Sequence, residues 1–72
     1  MRYAIVIERS SNGFGAYVPD LPGCVAVAES EEEVRDLIRD AIRLHLEGIR
    51  EDHEPIPAPT TRVEYVEVPQ AA

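Results

Sequence analysis

The residues able to do chemistry are few and far apart in the chain. Cys24 is the one cysteine, and His45 and His53 are the two histidines. A cysteine nucleophile needs a helix N-terminus or a cation beside it to favour the thiolate. Cys24 instead follows Pro22-Gly23 at the opening of a predicted strand, with no basic residue near it in sequence. It reads as a small packed side chain. His45 falls near the centre of an apolar stripe at helical spacing. Its chemistry would be a pH switch or metal ligation. No second ligand lies one turn away, which favours a largely buried imidazole bonded to backbone or to a tyrosine. His53 lies in the acidic run Glu51-Asp52-His53-Glu54 and is expected in water. These three residues cannot make a four-ligand structural zinc site without carboxylates.

Two further groups suit binding better than catalysis. Glu31-Glu32-Glu33 is a surface for a basic partner; it is also what the positive end of a helix prefers, and one acidic cap serves both. Pro19-Asp20-Leu21-Pro22-Gly23 is a loop stiffened by two prolines, which lowers the entropy lost on docking. Leu21 has no evident strand neighbour to bury against. A turn demanded by geometry alone is the competing reading. The candidate partner-binding residues are therefore Pro19, Asp20, Leu21, Pro22, Gly23, Glu31 and Glu32.

The elements that must position these residues follow from pattern. Tyr3–Glu8 is short, β-branched and aromatic, hence a strand. Both of its faces are largely apolar, which predicts a central position. Asn12-Gly13 signals a hairpin, and Phe14–Val18 returns antiparallel. Pro22-Gly23 suits a type II turn, and Cys24–Glu29 is a third strand with small residues on one face. Ser30 and Glu33 form a capping box. Val34, Leu37, Ile38, Ala41, Ile42, His45 and Ile49 then recur at helical spacing to about Glu51. Pro55, Pro57 and Pro59 space an extended arm. Arg62–Val68 is a predicted fourth strand, polar enough for an edge. The expected fold class is α+β, in the order β-β-β-α-β. An antiparallel three-strand meander carries one helix on one face, and the fourth strand returns parallel to the first. Residues 1–69 are expected to form a single domain, with 70–72 frayed.

Size and charge bound the function. The chain has 72 residues, and a core of that size rarely supplies more than about 3–5 kcal/mol. Without a disulfide, self-association or partner binding is the expected source of added stability. One helix cannot cover both faces of such a sheet. The uncovered face holds either the Ala4/Val6 or the Ile5/Ile7 set, and an apolar patch of that kind marks an interface. Seven arginines and no lysine stand against 14 carboxylates, a net charge of −7. That balance argues against nucleic acid and against an anionic membrane. It favours a basic partner or simple solubility. No apolar stretch approaches a membrane span and no signal peptide is evident, so the cytoplasm is expected.

The order of these pieces resembles the HicB-like antitoxins of bacterial toxin–antitoxin pairs. The resemblance rests on Y-A-I-V-I-E at 3–8, A-Y-V-P-D-L-P-G-C at 16–24, the Ser-capped acidic start at 30–33, A-I-R-L-H-L-E at 41–47 and E-P-I-P at 54–57. It implies a fold similar to a truncated ribonuclease H. It also implies binding to, and neutralisation of, a small basic HicA-type toxin that cleaves mRNA. Longer family members carry a DNA-binding element after the fourth strand; none is visible here, so direct nucleic-acid contact is not expected. A stand-alone homo-oligomeric module is the alternative.

A ribonuclease H relative raises the question of nuclease activity. That chemistry needs several carboxylates converging on two metal ions. The middle of the first strand is Ala4-Ile5-Val6-Ile7, with Glu8 only at its end. Asp36, Asp40 and Glu47 fall on the outward side of the helix. The expectation is a non-enzymatic protein without cofactor or metal.

Overall fold

The computed structural model describes residues 1–70. Three antiparallel strands, β1 (Val6–Ser10), β2 (Gly13–Tyr17) and β3 (Val25–Ala28), lead into one helix, α1 (Glu31–Glu51). The sheet order is β1-β2-β3, so β2 is central and β1 is an edge. This corrects the expected central position of the first strand. The ladder pairs Ile7 with Ala16 and Ala16 with Ala26; one residue along, Val6 meets Tyr17 and Tyr17 meets Val25.

The hairpin forms at the expected place with a different division of labour. Ser10 pairs with Gly13, leaving Ser11 and Asn12 as the turn. The positive φ falls on Gly13 alone, at 144°. A Cβ there would also collide with the backbone carbonyl of Ala28 on β3. Gly13 thus serves both the turn and the close passage of β3.

Tyr3, Ala4 and Ile5 lie outside the ladder although their side-chain pattern is that of a strand. Pro19, opposite Ala4 in register, has no amide to give β1, and Val18, opposite Ile5, faces β3 instead. The Val18 amide donates to the Cys24 carbonyl at 3.2 Å, and its carbonyl accepts from the Leu21 amide at 3.0 Å. The first bond carries the β2–β3 register on to Val18 and Cys24, and the second closes the turn that follows.

Residue alternation sends Ile7, Phe14, Ala16, Val18, Cys24, Ala26 and Ala28 toward the helix. The helix lies over β2 and β3. Its buried contacts are Val34 and Ile38, with Ala41, Ile42 and Leu46 half-buried against the same core. Leu37, counted in the predicted stripe, is 45% exposed and belongs to the outer side. The small residues of β3 let the helix approach closely. Ser30 caps it as expected: its hydroxyl accepts from the Glu33 amide at 3.1 Å and donates to the Glu33 carboxylate at 3.1 Å. The carboxylate therefore returns to the hydroxyl rather than to the Ser30 amide. The helix ends at Asp52. The His53 amide bonds the Arg50 carbonyl and the Glu54 amide bonds the Ile49 carbonyl, with His53 left-handed at φ 55°. That is a Schellman ending with histidine where glycine is usual.

The predicted fourth strand is absent from the described structure. Residues 55–70 carry no regular secondary structure. Three prolines in the first part of this arm withhold amide donors. Beyond it Val63, Tyr65, Val66 and Val68 are 55%, 98%, 78% and 72% exposed. Among the described residues no fourth strand joins the sheet, and the fold is a three-stranded α+β layer. Of the expected frayed end 70–72, Ala71 and Ala72 lie outside the described residues.

Candidate functional site

The loop from Val18 to Cys24 is two turns in succession. The first spans Val18–Leu21. The second is closed by the Cys24 amide on the Leu21 carbonyl at 3.1 Å, with Pro22 and Gly23 at its centre and Gly23 at φ 85°. That matches the predicted type II turn. The loop folds back so that Leu21 points into the core and is completely buried between sheet and helix. The expectation that Leu21 lacks a neighbour is corrected here: its surroundings come from α1, distant in sequence and invisible to a strand-by-strand reading. Pro19, Pro22 and Gly23 remain exposed on the outside of the loop.

Asp20 has a specific task within the chain. One carboxylate oxygen accepts from the hydroxyls of Thr60 and Thr61, at 3.1 and 2.8 Å, and the other accepts from the Thr61 amide at 3.0 Å. These donors, the Thr61 amide first and its hydroxyl next, hold the carboxyl below the usual carboxylate range. Asp20 is thus a clip that fixes the arm to the loop. The Tyr3 hydroxyl adds a second attachment, donating to the Pro57 carbonyl. Thr60 and Thr61 were not singled out from sequence. Their only signal is two adjacent hydroxyls just after a proline-spaced segment.

Glu31 and Glu32 sit exposed in the first turn of α1. Glu31 is paired with Arg35 at 3.8 Å; Glu32 has no ion pair among the described residues. The candidate residues do not form one cluster. Pro19–Gly23 precedes β3 and Glu31–Glu32 follows it, so the strand's four residues separate them by roughly 13 Å or more.

The remaining carboxylates of α1 face away from the sheet. Asp36 pairs with Arg39 at 3.4 Å, and Arg43 lies 4.0 Å from Asp40 and 3.5 Å from Glu47. Exposed pairs of this kind add little stability, but they neutralise the middle of the helix. Uncompensated negative charge is left at its two ends, around Glu29–Glu33 and Glu51–Glu54. Among the described residues no group of His, Cys, Asp and Glu is gathered to hold a metal. His45 is half-buried, and its ring makes no hydrogen bond among the described residues, so the expected backbone or tyrosine partner is not found. His53 is exposed. Cys24 is buried, and burial pushes its thiol pKa up. No helix among the described residues is long and apolar enough to cross a membrane.

The uncovered sheet face is the Ala4/Val6 side. It presents Tyr17, Val25 and Val27, which are 41%, 63% and 78% exposed.

Residues 3–71 match the model of a family described as the HicB-like antitoxin of bacterial toxin-antitoxin systems. The chain is 34% identical over 70 residues to an uncharacterized 14.9 kDa protein of Haemophilus phage HP1, covering 97% of this chain and 53% of that protein. It is 33% identical over 70 residues to antitoxin HicB 2 of Photorhabdus laumondii, covering 96% of this chain and 50% of that one. The chain thus spans about half the length of both relatives. A solved structure titled HicA3 and HicB3 toxin-antitoxin complex superposes with a TM-score of 0.71 at 27% identity, over 83% of this chain and 70% of that one.

Proposed function

Because the chain belongs to the HicB-like antitoxin family of bacterial toxin–antitoxin systems, we propose that it binds a small basic HicA-type toxin and covers the cationic face with which that toxin grips RNA. The observation that carries this reading is the match along nearly the whole chain, joined to the fold it shares with a chain of a toxin–antitoxin complex. The charge supports it. A net −7 draws in a basic protein over the range of a Debye length, and carboxylates outnumber arginines at both helix ends. Glu32 and the outer rim of the loop, Pro19, Pro22 and Gly23, are the contact candidates that remain accessible. Leu21 and Asp20 act behind them as the buried anchor and the arm clip. Neutralisation of this kind is steric and electrostatic and needs no catalytic group, cofactor or metal. It takes place in the cytoplasm, where mRNA is.

The test pairs the purified chain with the toxin encoded beside it. RNA cleavage should be suppressed near equimolar ratio, and the suppression should weaken as salt is raised. Unchanged cleavage at molar excess would refute the proposal. A second reading, a self-associating module without a toxin, draws on the open apolar sheet face.

A further inference from the structure

Two features of the fold are each incomplete and complement one another. The first is the β1 edge. In an antiparallel sheet ordered β1-β2-β3, one side of Val6–Ser10 has no strand partner. Next to the residues that precede this edge, under the offset helix, lies an open groove of about 400 Å³ walled by Met1, Tyr3, Ile5, Ile38 and Ile42 and by the arginines Arg35 and Arg39 of α1. An unpaired edge beside an unfilled apolar groove is a template for an added strand.

The second feature is the segment Arg62-Val-Glu-Tyr-Val-Glu-Val. Its composition is that of a strand, yet its four large apolar side chains are between 55% and 98% exposed. The Asp20 clip and the Tyr3–Pro57 bond bring the arm alongside Arg2–Ala4, where Thr61 and Val63 line the surface. Past that point it leaves the body of its own chain. The molecule is 55 Å long against 27 and 16 Å in its other dimensions, and its radius of gyration is 14.8 Å. A compact chain of this length would have roughly 11 Å. The clip thus holds the arm beside Arg2–Ala4, and the segment beyond Val63 lies exposed.

We propose that residues 62–68 form an exchange strand, which pairs with the β1 edge of a second copy, reciprocally about a two-fold axis; strand alternation puts Val63 and Tyr65 on one face and Val66 and Val68 on the other, so one pair enters that copy's groove and the other extends its open sheet face. The occupant is another copy because the donor segment and the acceptor edge belong to the same chain, and both are left open among the described residues. Reciprocity closes the assembly, since each copy gives one arm and receives one. The area is adequate. Covering four such side chains and the edge beneath them, twice over, comes to roughly 1,600 Å², the size of a standard specific interface. The charges do not oppose the pairing: the edge itself is balanced by Glu8 and Arg9, and the groove wall adds Arg35 and Arg39 for an arm that carries Glu64 and Glu67.

The test is sedimentation equilibrium of the full chain across the micromolar range, with V66P beside the parent. Proline at 66 removes a ladder donor and fixes φ. Val66 is 78% exposed, so the helical circular-dichroism signal of the folded chain should not change. The parent should sediment at twice its 8.0 kDa mass, and V66P should dimerise about tenfold more weakly or not at all. Mixed isotopically labelled copies should show inter-copy contacts between 62–68 and Val6–Ser10. A monomer at every concentration, a dimer indifferent to V66P, or inter-copy contacts confined to Tyr17, Val25 and Val27 would each overturn the proposal. None of these outcomes depends on a toxin.

Discussion

Replacing Leu21 by alanine separates an interface residue from a core residue at the centre of the candidate loop. Leu21 is fully buried, and its neighbours are Val18, Cys24, Val34 and Ile38. Truncating a leucine in such a place costs about 2–5 kcal/mol, from lost transfer energy plus the cavity left behind. A domain of this size holds only about 3–5 kcal/mol in total. A loss of about 3 kcal/mol lowers the folded-to-unfolded ratio roughly 150-fold. With a urea slope near 1 kcal/mol per M, the midpoint falls by about 3 M, and a large part of the chain is unfolded before urea is added. The assay is urea unfolding followed by helical circular dichroism, at one protein concentration for parent and variant so that association does not move the midpoint. A midpoint shift below about 0.5 M would be the signature of a surface position. That result, joined to lost partner binding, would refute the burial argument and return Leu21 to the interface.

The clip should respond to pH. The folded pKa of Asp20 lies below its unfolded value, so its contribution is complete above about pH 4 and fades as pH falls through the lower folded value; amide exchange at Thr61 should speed up over that window, and D20N should show fast exchange at neutral pH. H53G should raise stability by about 1 kcal/mol in a melt, since glycine adopts the left-handed ending at φ 55° without the Cβ penalty. Burial and a raised pKa should make Cys24 unreactive toward a thiol reagent at neutral pH until urea unfolds the chain, and immediate labelling would contradict its place in the core.

What sequence could and could not reveal divides along physical lines. The helix is legible because its signals are local: Ser30 with Glu33 at one end, a 3.6-residue apolar period, and charges opposite. Its observed span, Glu31–Glu51, is the expected one. The type II turn at Pro22-Gly23 is equally local. The position of β1 at the sheet edge is not. Two apolar faces at Tyr3–Ile7 suggest burial on both sides, but the lower half of that run rests against α1 and the arm, not between strands. The end of the β1–β2 ladder shows how little it takes. Val18 faces β3 and Pro19 has no amide to donate, so Ala4 and Ile5 are left without ladder bonds, whatever their propensity. Leu21 and Asp20 read from sequence as loop contacts for a partner, and the structure gives both a role inside the chain. One is held by a helix residues away and the other by threonines 40 and 41 positions on, and neither contact has a sequence signature.

The expected fourth strand is the most informative departure. Its composition is right, and the chain delivers it to the correct side of the sheet, next to Arg2–Ala4. It is nonetheless unpaired, and its attachments all lie before it. Proline spacing keeps Pro55–Pro59 extended, and the Asp20 carboxylate then fixes Thr60 and Thr61 before the strand begins. Strand-forming sequence without a strand is therefore no contradiction of propensity. Propensity fixes what a segment does once a partner edge is in register, and among the described residues no edge stands in register with the arm.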